Sequence, residues 1–154
     1  MEYSFDICLK NRQLFDGILS TLTLKQLNTI PAGFNNNILW NIAHSLVTQQ
    51  LLVYGLSGNE FQIEQHLIEL YRKGTKPERA MTQNEVNEIQ SLLFSTLTQL
   101  EADYTSGKFK DYKQYTLGTT GGVLATVENA IEFNNFHEGL HLGYSMALMR
   151  LVKK

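Results

Sequence analysis

The 154-residue sequence has one cysteine, Cys8, and two prolines, Pro31 and Pro77. A lone cysteine cannot close an internal disulfide or furnish a Cys-rich zinc site, so a reducing compartment fits and any metal must be held by His or carboxylates. An excess of positive charge is missing too. Thirteen Lys and Arg against fifteen Asp and Glu leave a formal charge of -2, without the basic footprint that phosphate-backbone binding requires, so nucleic acid is not an expected partner. No apolar run approaches the ~18 residues of a membrane span, and no membrane partner is expected. The first six residues, Met1 to Asp6, lack the basic and apolar regions of a signal peptide, and a soluble cytoplasmic protein is expected. With 43% hydrophobic and 18% charged residues, residues 1–154 suffice for a single domain with its own core.

Scarce proline leaves long stretches in which apolar residues recur at intervals of three and four, the period of a one-sided helix. The pattern predicts a first helix from Ser4 to Leu27 with a stripe of Leu14, Ile18 and Leu22 widened by Phe15 and Leu19, stopped by Pro31 and Gly33. A second helix starts near Asn36 or Asn37 and carries Trp40, Ala43, His44, Val47, Leu51 and Tyr54 on one face. A short helix around Phe61 to Tyr71 follows in a weakly patterned connection. Thr82 and Glu85 then form a T-x-x-E capping box before Val86, Ile89, Leu93, Leu97, Leu100 and Tyr104. After a loop from Lys108 to Gly122, a last helix aligns Val127, Ala130, Asn134, His137, His141, Tyr144, Leu148 and Leu151 and runs nearly to Lys154. No segment of period two stands out. The expectation is an all-α four-helix bundle with at least one long crossover connection.

Chemistry concentrates on histidine. His137 and His141 stand four apart, so their imidazoles lie one above the other and can converge on one ion. His44, between Ala43 and Val47, should face the same interior. Three neutral imidazoles in an apolar interior would each need a separate partner, whereas one divalent cation satisfies all three through bonds of about 2.0–2.1 Å. The expected metal ligands are therefore His44, His137 and His141, with Asn41, Asn134 and Glu138 within one turn as candidates to hold the other ring nitrogens. Trp40 and Tyr144 are candidate pocket walls. Zn or Ni is the expected ion, although three His also suit Cu or Fe. No carboxylate or thiol is placed to close the shell, which leaves a position for water or substrate, facing a cleft formed by the 60–79 connection or the 108–122 loop.

His137-Glu138-Gly139-Leu140-His141 also fits H-E-x-x-H, the zinc-protease motif in which the Glu is a general base. The metzincin extension fails, since Tyr144 and Ala147 stand where Gly and His are required. Glu138 also lies about 100° round the helix from His137.

The run Asn36-Asn37-Ile38-Leu39-Trp40-Asn41-Ile42-Ala43-His44, the turn Tyr54-Gly55-Leu56-Ser57-Gly58 and the closing Phe136-His137-Glu138-Gly139-Leu140-His141-Leu142-Gly143 resemble the DinB/YfiT-like superfamily, close to its DinB_2-type members. The resemblance implies a four-helix bundle with a long crossover and a three-histidine divalent metal site, one His on the second helix and an H-x-x-x-H pair on the last. These positions fall on His44, His137 and His141. Many relatives carry Gln after H-x-G, where this chain has Tyr144, so no relative's substrate carries over. Characterised relatives include metal-dependent transferases and isomerases that use low-molecular-weight thiols such as bacillithiol or mycothiol.

The leading expectation is thus a metal-dependent transferase using a low-molecular-weight thiol cosubstrate on a small-molecule substrate, or a related hydrolase. The alternative is a non-catalytic metal- or small-molecule-binding module. A homodimer is expected from the resemblance and from Phe133 and Phe136, which lie off the His stripe. Cys8 reads as a small buried hydrophobe, His66 as part of a solvated face, and Gly118-Thr119-Thr120-Gly121-Gly122 as a flexible loop without the Lys of a P-loop.

Overall fold

The computed structural model describes residues 1–153. Its frame is α-helical: α1 (Glu2–Thr21), α2 (Leu24–Asn28), α3 (Ile38–Gln49), α4 (Gln65–Tyr71), α5 (Gln83–Thr105) and α6 (Val127–Val152). A π-helical segment, Gln50–Gly55, extends α3, and an antiparallel ribbon pairs β1 (Tyr115–Thr116) with β2 (Val123–Leu124). The ribbon was not expected, because two-residue strands are too short to show an alternating pattern.

α3 is the central element. Every residue from Ile38 to Val47 is buried, as befits a helix that is apolar nearly all round. Asn37 starts it by accepting a hydrogen bond from the Trp40 backbone N–H at 2.8 Å. α6 and α5 pack along α3, and α1 packs against both α5 and α6, so the four longer helices share a core. α2 and α4 cover the remaining sides of α3.

The first helix differs from its expected course. It ends at Thr21, and Thr23 opens α2 with its own capping box to Gln26, so the stretch to residue 28 is two helices rather than one. Leu14 is exposed; the buried stripe of α1 is Phe5, Cys8, Arg12, Phe15, Ile18 and Leu19. Thr82 and Glu85 do form the capping box that starts α5.

On α6 the buried face is Ala130, Ile131, Asn134, Glu138, Leu142, Ser145 and Leu148. His137 and His141 stand on one flank of it, half-buried, while Tyr144 and Leu151 are exposed. The arc is turned from the expected stripe because α6 packs between α1 and α3, and the α3 side takes the histidines. Fully burying one of the large core side chains, such as Leu93 or Phe15, contributes about 1.5–3 kcal/mol.

Candidate metal centre

His44 leaves the middle of α3, and His137 and His141 leave the facing flank of α6 one turn apart. Their rings meet: the centroids are 5.2 Å apart for His44 and His137, 4.8 Å for His44 and His141, and 4.5 Å for His137 and His141. One ring nitrogen from each lies within 4.8 Å of the others. Two bonds of about 2.1 Å meeting at a tetrahedral angle put their nitrogens about 3.4 Å apart, so a shared ion requires the rings to draw in, by up to about 1.4 Å for the widest pair. Among the described residues, no Cys, Asp or Glu joins the three histidines in this group.

Hydrogen bonds fix which nitrogens face inward. His44 Nδ1 lies 2.6 Å from the Tyr71 carbonyl oxygen, which only accepts, so Nδ1 carries the proton and Nε2 keeps its lone pair. Asn41 Nδ2 donates to the Asn37 carbonyl at 2.8 Å, which orients the amide and turns Oδ1 to His141 Nδ1, also at 2.8 Å. His141 is thereby held with a free Nε2. His137 differs, because its Nδ1 is buried without a hydrogen-bond partner, an orphan of the kind a cation satisfies. Three neutral imidazoles, two of them held by Nδ1 hydrogen bonds and one with an unpartnered Nδ1, are a donor set that suits a divalent ion.

The electrostatics agree. Burial pushes His137 down to about 3, with His141 and His44 adding to the shift, and pushes His141 down to about 4, with His44 adding. His44 is lowered too, by burial, against the raising effect of its bond to Tyr71 and with the Lys73 charge helping. At neutral pH the three imidazoles are uncharged, the state that metal ligation needs.

The cluster opens on a cleft of about 420 Å³ onto which His44 and His137 face. Leu51, Leu52 and Leu56 from the π-helical segment and its exit, Phe133 from α6 and Leu117 beyond β1 wall it. Lys73, from the connection after α4, and Gly118 and Thr119, from the ribbon loop, complete it, so both long connections contribute. Thr48 Oγ1 also lines it, 3.4 Å from His44 Nε2.

Other expected residues fall elsewhere. Asn41 holds a histidine, but Asn134 and Glu138 do not. Glu138 is fully buried against α1, with Arg12 Nε donating to its Oε1 at 2.8 Å and Asn134 Nδ2 donating to the same oxygen at 3.0 Å. Its place about 100° round the helix from His137 turns it toward α1, where Arg12 engages it, and away from any role as a base beside the imidazoles. Trp40 stacks on His44, centroids 4.5 Å apart and planes 9° apart, with its Nε1 donating to Thr75 Oγ1 at 3.1 Å. It lines a separate cleft of about 290 Å³ on the far side with Tyr71 and Met81. Tyr144 meets Phe34 edge-on at 5.8 Å and does not wall the cleft at the histidines. Cys8 is buried and His66 is exposed on α4, both outside the cluster.

Two contributors carry no sequence signal or only a faint one. The Tyr71 carbonyl is main chain, and no side-chain pattern announces it. Arg12 was detectable, as a cation amid the apolar residues Cys8, Phe15 and Leu19.

Fold and centre together define an all-α protein with three convergent imidazoles, two of which line an apolar cleft, an arrangement compatible with metal binding. A family model for the DinB superfamily matches residues 9–145, and the chain belongs to that superfamily. Among curated proteins, none matches the chain significantly. Among the described residues, no helix is long and apolar enough to cross a membrane.

Proposed function

We propose that His44, His137 and His141 hold a divalent metal ion, Zn or Ni, and that the protein is a metal-dependent transferase acting on a small molecule with a low-molecular-weight thiol as cosubstrate. The observation that carries the reading is the tautomer pair: Tyr71 and Asn41 take the Nδ1 protons of His44 and His141, leaving both Nε2 atoms unprotonated in the group that includes His137, whose Nδ1 has no partner. When bound, the ion supplies Lewis acidity at its open positions, lowering the pKa of a thiol that enters.

The chain's own groups do the rest. Trp40 fixes the plane of His44 by stacking, and Leu51, Leu52, Leu56 and Leu117 give the cleft an apolar wall. Thr48 Oγ1 is placed to hydrogen-bond a group arriving beside His44. In the transfer, a carbon–sulfur bond forms as the electrophile's bond to its leaving group breaks, and the thiol proton passes to solvent. A water taking the thiol's place would make the protein a hydrolase instead.

We further propose that residues 1–154 act as one cytoplasmic domain and associate as a homodimer through α6, where Phe136 is exposed, whereas Phe133, expected to join it, is half-buried at the cleft.

The test is elemental analysis together with turnover of a chromogenic electrophile. Wild type should carry about one zinc or nickel per chain, as a single three-histidine site implies. His44→Ala, His137→Ala and His141→Ala should each lose it while keeping a helical circular-dichroism spectrum. Turnover that needs no thiol would sink the transferase, and full metal content in all three variants would sink the metal site.

A further inference from the structure

The cleft above the histidines has a one-sided electrostatic character. None of its lining residues is acidic, and apart from the imidazoles its only ionisable groups are the Lys73 ammonium and the Tyr115 phenol. Lys73 Nζ is also uncommitted: among the described residues it forms no ion pair, unlike Lys10, Arg12, Arg79 and Lys108. Nζ lies over Gly118, where an added Cβ would stand 3.3 Å from it. A cation therefore lines a cleft otherwise walled by Leu51, Leu52, Leu117 and Phe133. The volume of about 420 Å³ lies in the ~300–1,000 Å³ range of small-molecule sites.

We propose that the ligand of this cleft is an amphipathic small-molecule anion, with an apolar body against the leucine and phenylalanine walls and a carboxylate or similar acidic group paired with Lys73. Burying the apolar body supplies most of the affinity, and the single cation selects the charge. An apolar cation would place like charges together with no acidic group to offset them, and a neutral analogue would gain nothing from Lys73. The assignment rests on the function proposed above only in taking this cleft as the substrate site.

Octanoate, 1-octanol and octylamine are the probes, titrated by calorimetry into metal-free and zinc-loaded full-length protein. Octanoate is expected to bind metal-free wild type more tightly than either analogue. Lys73→Gln should weaken octanoate by roughly tenfold, the scale of a charge-assisted hydrogen bond, and leave octanol unchanged, while Lys73→Arg should retain octanoate binding. Octanoate affinity indifferent to Lys73→Gln, octylamine binding as tight as octanoate, or no octanoate binding at all would each overturn the assignment. Failure of the metal reading looks different. A chain that takes up no zinc yet binds octanoate through Lys73 sinks that reading alone, and one that takes up zinc but ignores Lys73 sinks this one alone.

Discussion

Arg12 and Glu138, 126 residues apart in sequence, form an ion pair with neither side chain exposed to solvent, Arg12 Nη2 lying 2.6 Å from Glu138 Oε1. Arg12 Nη1 also donates to the Leu93 carbonyl at 3.1 Å, so the pair joins α1, α5 and α6. The glutamate that a zinc protease would use as a base here ties three helices together.

Removing one partner leaves the other charge buried and alone. Arg12→Met is expected to lower unfolding free energy by about 3–5 kcal/mol in urea denaturation, whereas Arg12→Met with Glu138→Leu should recover much of the loss. If Arg12→Met unfolds at the same urea concentration as wild type, the pair does not hold the helices.

Asn41 orients His141 without being a ligand itself. Asn41→Ala should lower zinc affinity about 10–100-fold in competition with a chromogenic chelator and leave stoichiometry unchanged. Unaltered affinity would remove Asn41 from the centre's design.

Cys8 is pushed up to about 12, first by burial and then by the Glu138 charge, with its Sγ 3.6 Å from Glu138 Oε2. A disulfide reagent at about pH 8 should leave the folded protein untouched and modify one thiol per chain once denaturant is added. Fast labelling of the folded chain would contradict this burial.

For the metal-free protein the histidines set a pH trend. Their folded pKa values lie below the unfolded value of 6.5, at about 3 for His137 and about 4 for His141. Below 6.5 the unfolded chain takes up protons that the folded one refuses, so the histidines' contribution is complete above 6.5 and is lost as pH falls toward 4. The loss is at most about 1.4 kcal/mol per pH unit for each histidine. Urea midpoints should fall from about pH 7 to about pH 5, and fall less in His137→Ala. A midpoint that ignores pH in that interval would refute the neutral cluster.

Sequence made the start of α5 legible, because Thr82 and Glu85 name both partners of a cap at a fixed spacing. It also made the convergence of His44 with the His137 and His141 pair legible, because those spacings put the rings on facing helices. The rotation of α6 was not, since its buried arc depends on α1 and α3 lying on two sides of it. Periodicity locates an apolar stripe, but the neighbours decide where its centre falls, and here they moved it from the histidines toward Glu138 and Ser145. The break between α1 and α2 rested on Thr23 and Gln26, a second capping box masked by the apolar pattern running through it.

The proton of His44 is held by a carbonyl, and a carbonyl belongs to the chain rather than to any residue type. Exchanging Tyr71 for another side chain leaves that acceptor in place as long as α4 keeps its path. What the centre asks of the connection is a shape, so the stretch beside its first histidine can drift in composition while the imidazole it steers stays aimed at its two companions.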